Sequence, residues 1–313
     1  MADEYQSLTK AFSGLGGLGV DETAMVSTVA KWRKQPEKRA QFRRNFPGFF
    51  TDKGIIEKCE DDYIIQLKTE FSRFKNIMVL WAMHPWERDA RWAHHVLHKA
   101  HPSTIILEIA CTRSSEELLG ARKAYQALFH HSLEEDVAYH VKENYRNLLV
   151  GLVSSYRYEG PRVDEEVAKS EAKVLGHAVK SGGSAKLLEN NEVMRILTTR
   201  SKLHLRAVFK YYKQMHEKLI EEDLSHEVCL QEAVKCLDSP PKYFSQVIDI
   251  SFKKDADKRA KDALTRVIVS RSDVDMEEIR EAYQQQYGAK LEDMIAKNTH
   301  GHYKDALLSL VGQ

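Results

Sequence analysis

Hydrophobic positions along this chain recur at helical rather than strand spacing, and the clearest case is written three times. The segments IILEIACTRSSEEL, EVMRILTTRSKLHL and ALTRVIVSRSDVDM each run into an Arg-Ser pair, at Arg113, Arg200 and Arg271. Seven, four and three residues before each arginine stand Ile106, Ile109 and Ala110; Val193, Ile196 and Leu197; and Leu264, Val267 and Ile268. That spacing puts one apolar stripe on one face of a helix. Ser114, Ser201 or Ser272 follows, and in two copies an acid stands three residues further on, Glu117 and Asp275. This predicts a serine-capped second helix, close to a capping box. Each copy therefore reads as helix, tight corner, helix. A later element also repeats: YRNLLVGLV from Tyr145 and YKDALLSLV from Tyr303 begin at the same distance from Arg113 and Arg271 respectively. A blurred fourth copy opens the chain, with AMVSTVAKW as its first helix and FKNIMVLWAM as its last. Trp32 takes the place of the corner arginine there, and the middle is stretched. Glycine and proline are sparse, and valine/isoleucine alternation is nearly absent. The pattern predicts four all-helical units of roughly seventy to eighty residues, each burying one face against its neighbours.

Composition leaves that picture intact and narrows the function. Hydrophobic residues at 42 % and charged residues at 30 % are ordinary for a soluble globular protein with ample core. Lys and Arg number 47 against 46 Asp and Glu, a net charge of +1. Bulk attraction to nucleic acid or to an anionic membrane is therefore absent, and such binding would need a local patch or a bridging ion. Cys59, Cys111, Cys229 and Cys236 form no C-x-x-C and are too scattered for a disulfide framework, so a reducing compartment is expected. The opening MADEYQSLTKAF is acidic without an apolar run and does not read as a secretory signal. No stretch approaches the roughly eighteen apolar residues that span a bilayer. A cytosolic protein is expected.

Residues 14–19, GLGGLG, spell G-x-G-x-x-G. A dinucleotide site needs a buried strand before that turn and a ribose-binding acid after a second strand. Here the helical pattern QSLTKAF precedes it and the basic KWRKQPEKR follows, so that reading fails. No G-x-x-x-x-G-K-[ST] occurs and no nucleophile–base motif stands out. Peroxidase or nucleotide-hydrolase activity is not expected, and the chain reads as a non-enzyme.

The Arg-Ser corners, MRILTTRS in the third unit, WAMHPWERDA after the first and the closing LLSLVG resemble the annexin family, specifically its plant members. The resemblance covers about residues 5 to 312. It implies an all-α fold of four annexin repeats of about five helices each, forming a slightly curved disc: residues 5–83, 84–160, 161–250 and 251–313. It further implies calcium as cofactor and reversible docking of convex-face loops on acidic phospholipid membranes from the cytoplasm. Monomer or weak homo-oligomer is the implied state, with no nucleic acid, and with actin or another annexin as candidate protein partners. The calcium chemistry has a physical logic. A hard cation wants six to eight oxygens, a G-x-G turn lets several carbonyls converge, and a distant carboxylate closes the shell, leaving positions for water or lipid phosphate.

Residues 17–22, GLGVDE, match the family's G-x-G-T-D-E loop with Val20 in place of threonine. By that match Leu15, Gly17 and Gly19 offer carbonyls, Asp21 and Glu22 cap the next helix, and Leu18 at the tip touches the headgroup–acyl boundary. Glu70, in LKTEFSRFK, is the expected closing carboxylate. It lies 51 residues after Gly19, about eleven more than the family's usual gap near forty for this oxygen-ligand site. The insertion is placed in RRNFPGFFTDKGIIEKCEDD. The second unit has HKAHPSTIILE without a glycine loop, and its acid position, counted from Arg113, is occupied by His140. The fourth has KKDADKRAKDAL, and the equivalent place counted from Arg271 holds Asn298. The third keeps Gly182-Gly183 at the wrong spacing, with Glu221, Glu222, Asp223 and Glu227 nearby. One site of four is expected to be competent, which removes most of the avidity of linked weak contacts.

Five residues before each corner arginine stand Glu108, Arg195 and Arg266, charges on an otherwise apolar stripe that need pairing. The resemblance places Glu108 opposite Arg266 and Asp89 near Arg113, around a central hydrophilic channel. They read as salt bridges joining the two halves of the disc, with an ion-conducting path as the alternative. His94 and His98 share one helix face at i, i+4; with no third ligand in view they read as a solvated face rather than a metal site. Plant annexins linked with peroxidase activity carry a histidine in the first corner, where this chain has Lys31-Trp32. Cys111 and Cys236 match two cysteines recurring in plant annexins. They read as buried small hydrophobes, with a redox pair as the alternative. Met194-Arg195-Ile196 resembles a tripeptide discussed for actin binding and reads as core packing. The competing function class is a scaffold that binds cytoskeleton or another annexin without calcium.

Overall fold

The apolar stripes become helices that stop at the Arg-Ser corners. The computed structural model describes residues 2–13, 21–45, 50–52, 57–59, 64, 74–98, 103–142, 144–154, 156–181, 184–299 and 301–312. Two compact units emerge, residues 1–85 with 241–313, and residues 86–240. The first runs α1 (Ala2–Ser13), α2 (Glu22–Trp32), α3 (Pro36–Asn45), the strands β1 (Phe50–Asp52) and β2 (Glu57–Cys59), and α4 (Lys75–Ala82). The second holds α5 (Pro85–Leu97), α6 (Ser103–Thr112), α7 (Ser115–Phe129), α8 (Leu133–His140) and α9 (Arg146–Ser154), then α10 (Glu165–Ser181) and α11 (Ser184–Glu189). It continues through α12 (Asn191–Thr199), α13 (Lys202–His216), α14 (Ile220–Asp223) and α15 (Val228–Asp238). The chain then returns to the first unit with α16 (Pro240–Ser251), α17 (Lys258–Arg271), α18 (Met276–Tyr287), α19 (Leu291–Asn298) and α20 (Gly301–Val311). The fold is all-α, with one antiparallel two-stranded ladder added. Its register pairs Phe50 with Cys59 and Asp52 with Glu57, inside the segment where the sequence placed an insertion.

All nine stripe positions are buried. In residues 86–240, α10 packs along α13, α6 along α15, and α9 against α6, α8 and α12. In the other unit α2 packs on α1 and α20, and α17 on α4 and α20. Trp32 fills the first corner by packing, its ring 5.1 Å from Tyr5 and 6.2 Å from Phe42. The adjacent Arg33 takes the polar role there, donating to the Val311 carbonyl at the end of α20, 2.9 Å away.

The corners differ from one another in a way the sequence did not disclose. At Ser114 the capping box is complete: its hydroxyl accepts from the Glu117 amide at 3.1 Å, and Glu117 accepts from the Ser114 amide at 2.7 Å. Ser201 caps α13 through the His204 amide. The fourth corner departs from the expected box. Ser272 keeps helical backbone angles, and α18 starts behind Asp275, whose side chain makes no cap. The cause is competition: Arg271 donates twice to Asp275, at 2.7 and 2.8 Å, and takes the carboxylate away from the helix N-terminus.

Carbonyls left over at two of these corners are satisfied by cations from elsewhere in the unit. Lys202 Nζ donates to the carbonyls of Thr112 and Arg113, at 3.2 and 2.7 Å. The buried Arg157 donates to those of Arg200 and Leu197, at 2.6 and 2.5 Å. A second recurrent feature lies twelve residues past each arginine, where Tyr125, Tyr212 and Tyr283 are buried. Tyr125 donates to Asp136 and Tyr212 to Asp223, each eleven residues further on. The fourth copy has Met294 at that place, and Tyr283 turns instead to Asp249 on α16.

Asp89 on α5 accepts from Arg113 Nε at 2.6 Å and from Nη2 at 2.9 Å. Both side chains are buried. Asp89 thus stands near Arg113 as the resemblance implies, and the pair lies wholly within residues 86–240, where it ties α5 to a corner of its own unit. Burial alone would lower the arginine pKa. The Asp89 charge and hydrogen bonds outweigh it, with Glu108 and Glu117 adding to the same field, and the guanidinium is held charged.

Two outcomes follow. Asp89→Ala and Arg113→Ala each leave one buried charge without its partner and lower stability by about 3–5 kcal/mol, whereas Asp89→Leu/Arg113→Met regains most of that loss. Urea unfolding of the three variants measures it. Ser114→Ala costs about 1 kcal/mol as a lost cap, and Ser272→Ala less than half as much, which native-state hydrogen exchange across α7 and α18 resolves.

Candidate functional site

Leu15, Gly17, Gly19 and Glu70, the expected calcium ligands, lie outside the described residues, as do Leu18 and Val20. The two ends of the loop are described. The Asp21 amide donates to the Ala11 carbonyl in α1, at 3.3 Å. The Asp21 side chain accepts from the Ala24 amide at 2.9 Å and so caps α2. Glu22 opens the helix, 3.6 Å from His302. One residue thus both bonds to α1 and starts α2.

In the other repeats the acid position, counted from the corner arginine, holds His140, Glu227 or Asn298. Asn298 spends its amide on the Met294 carbonyl at 2.7 Å. Glu227 stands just before α15 without capping it, and burial pushes its carboxyl pKa up. Of the nearby acids, Asp223 is engaged by Tyr212. Gly182 and Gly183 lie outside the described residues.

His94 and His98 do not form a simple solvated face. The His94 ring stacks on Phe129 at 3.8 Å, and His140 brings a third imidazole to within 4.5 Å of His98. Burial, and then the facing His98, hold the His94 pKa below its ordinary value. No sequence spacing signals this trio, because α5 and α8 are separated by two helices.

Arg195, expected as a charge on an apolar stripe, is half-exposed and donates to Glu192 and Glu171. Glu171 on α10 is a carboxylate hub that sequence reasoning missed. It also accepts from Arg200 and pairs with His204 Nε2 at 2.9 Å. Burial would raise its pKa, but the hydrogen bonds from Arg200, Arg195 and His204 bring it below the usual carboxylate value. Arg195 therefore sits in an ion-pair network, and the Met194–Ile196 tripeptide buries only Ile196. Glu108 is buried in α6 of one unit and Arg266 in α17 of the other.

Cys111 and Cys236 are buried on α6 and α15, two helices that pack together. Burial pushes the Cys111 thiol up to about 11, against the opposing pull of Arg157 and Lys202. A thiol held protonated is a poor nucleophile. Folded protein treated with a disulfide reagent at neutral pH is expected to release no colour from either cysteine, and to titrate all four thiols once denatured. Rapid reaction of Cys111 or Cys236 in the native state would contradict this.

No described helix is long and apolar enough to cross a membrane. The annexin sequence profile matches residues 88–152, 170–229 and 253–310. Annexin D4 of Arabidopsis thaliana is 48 % identical over 315 residues, covering 99 % of this chain and 98 % of its own length. Among solved structures, annexin III superposes with a TM-score of 0.83 at 23 % identity, covering 99 % of this chain and 94 % of that one. Chicken annexin V gives 0.79 at 28 % identity, covering 99 % and 96 %. Profile, end-to-end identity and fold agree: the chain belongs to the annexin family, in its plant branch.

Proposed function

We propose that this protein binds acidic phospholipid membranes reversibly through one calcium ion held in its first repeat. Annexins in general bind such membranes in a calcium-dependent way, and membership of the family is the observation that carries the reading. The carbonyls of Leu15, Gly17 and Gly19 and the carboxylate of Glu70 would supply the ion's protein oxygens, with lipid phosphate completing the shell. The fixed exit of the loop, where Asp21 caps α2 and holds on to Ala11, supports this assignment. The third repeat has Glu227 but its glycine pair stands at the wrong spacing, and the second and fourth put an imidazole and a committed amide where a carboxylate would serve. Hard cations bind such groups poorly. The role is non-catalytic, with calcium as the bridge that a net charge of +1 makes necessary.

Liposome sedimentation with phosphatidylserine vesicles and a calcium titration tests the proposal. Half-binding is expected well above low-micromolar calcium. Glu70→Ala should raise that requirement by about tenfold or more, the loss of at least roughly 1.4 kcal/mol, while Glu227→Ala leaves it unchanged. Half-binding at low-micromolar calcium, or unaltered binding by Glu70→Ala, overturns the single-site reading. Binding that ignores calcium altogether would establish a scaffold role instead.

A further inference from the structure

Residues 86–240 gather histidines from two helices at one place. His94 and His98 stand one turn apart on the α5 segment with ring centres 4.5 Å apart, and His140, the last residue of α8, has its ring 4.5 Å from that of His98. Two imidazoles sharing one ion through bonds of about 2.1 Å hold their ring centres on the order of 5 Å apart. Both separations are already close to that value. His98 is also set in its tautomer: its Nδ1 lies 2.8 Å from the His94 backbone carbonyl. A carbonyl only accepts, so Nδ1 carries the proton and Nε2 keeps its lone pair. Metal-bound histidines are commonly oriented by this same donation from the other ring nitrogen. His94 is steadied by its stack on Phe129 at an interplanar angle of 11°. His98 is exposed and His140 partly so, which gives an ion a path in.

We propose that His94, His98 and His140 bind a divalent transition-metal ion of the zinc class. Imidazole nitrogen suits that class and serves calcium or magnesium poorly, so the site would not compete with the oxygen ligands of the first-repeat loop. Among the described residues no three His, Cys, Asp or Glu side chains are already arranged to hold a metal. Occupancy therefore requires movement, and the partly exposed His140 at the end of its helix is the ring that turns toward His98 Nε2. Asp136, nearby on α8, is engaged by the Tyr125 hydroxyl at 2.5 Å and is not offered as a ligand. Water completes the shell. An ion held this way clamps α5 to α8.

The test is titration of the full-length protein with zinc chloride against a chromogenic chelator in calcium-free buffer, with thermal unfolding read in parallel. One equivalent is expected to bind and to raise the melting temperature. His98→Gln and His140→Gln should each weaken binding by at least about tenfold and abolish the thermal shift, with far-UV circular dichroism unchanged. His95→Gln, one residue off the shared face, should bind as wild type. No stoichiometric zinc binding overturns the proposal. So does wild-type affinity in either variant, or an equal loss in His95→Gln, which would mean that histidine number rather than this site carries the metal. Because His98 is solvent-exposed, its variant keeps the test decisive even if His140→Gln were to unfold.

Discussion

A helix that stops inside a packed unit leaves its last carbonyls without intrahelical partners, and everything stacked on that corner depends on where those groups find a donor. In residues 86–240 the donors are long cationic side chains arriving from another part of the unit. Lys202, at the start of α13, serves the end of α6; Arg157, just past α9, serves the end of α12. The arrangement is reciprocal between repeats, since each supplies the cation that closes the other's corner. Each buried carbonyl left bare would cost about 1–3 kcal/mol, comparable to a substantial share of a domain's net stability. With the corners closed, the second helix of each pair leaves at a fixed angle, which brings the buried tyrosines twelve residues on against their aspartates.

Local period was legible in the sequence because it depends only on which positions share a helix face. The nine stripe residues and the caps at Ser114 and Ser201 followed from that rule. Ser272 did not, since two groups compete for Asp275 and the closer, bidentate Arg271 wins. The tyrosine–aspartate pairs were present as a spacing of eleven in two repeats, yet a spacing becomes a contact only when the intervening turn is known. Glu171 was invisible for a related reason: its three partners lie 24 to 33 residues away and converge only once α10 packs on α13.

The sites divide along the same line. The acidic helix cap at Asp21 is local chemistry and was read directly. The carboxylate proposed to complete the site, Glu70, lies far along the chain and came from family resemblance. The histidine trio combines both cases, because the i, i+4 pair at α5 was evident while His140 arrives from a helix whose packing the pattern does not specify. The two proposed sites also differ in hardness, one built on oxygens and the other on nitrogens, so both proposals together have a single chain answer to two unlike cations without either displacing the other.

The small ladder between β1 and β2 bears on how an annexin repeat tolerates extra chain. Lengthening a flexible loop is thermodynamically cheap, since each doubling costs only about 0.6 kcal/mol. The difficulty with an insertion is where the chain re-emerges. Pairing Phe50 with Cys59 sets the point of entry beside the point of exit, about 5 Å apart for neighbours across an antiparallel pair. Chain inserted between two such paired ends adds contour length without adding displacement between them. An insertion that returns to its starting point in this way need not displace the chain that follows it.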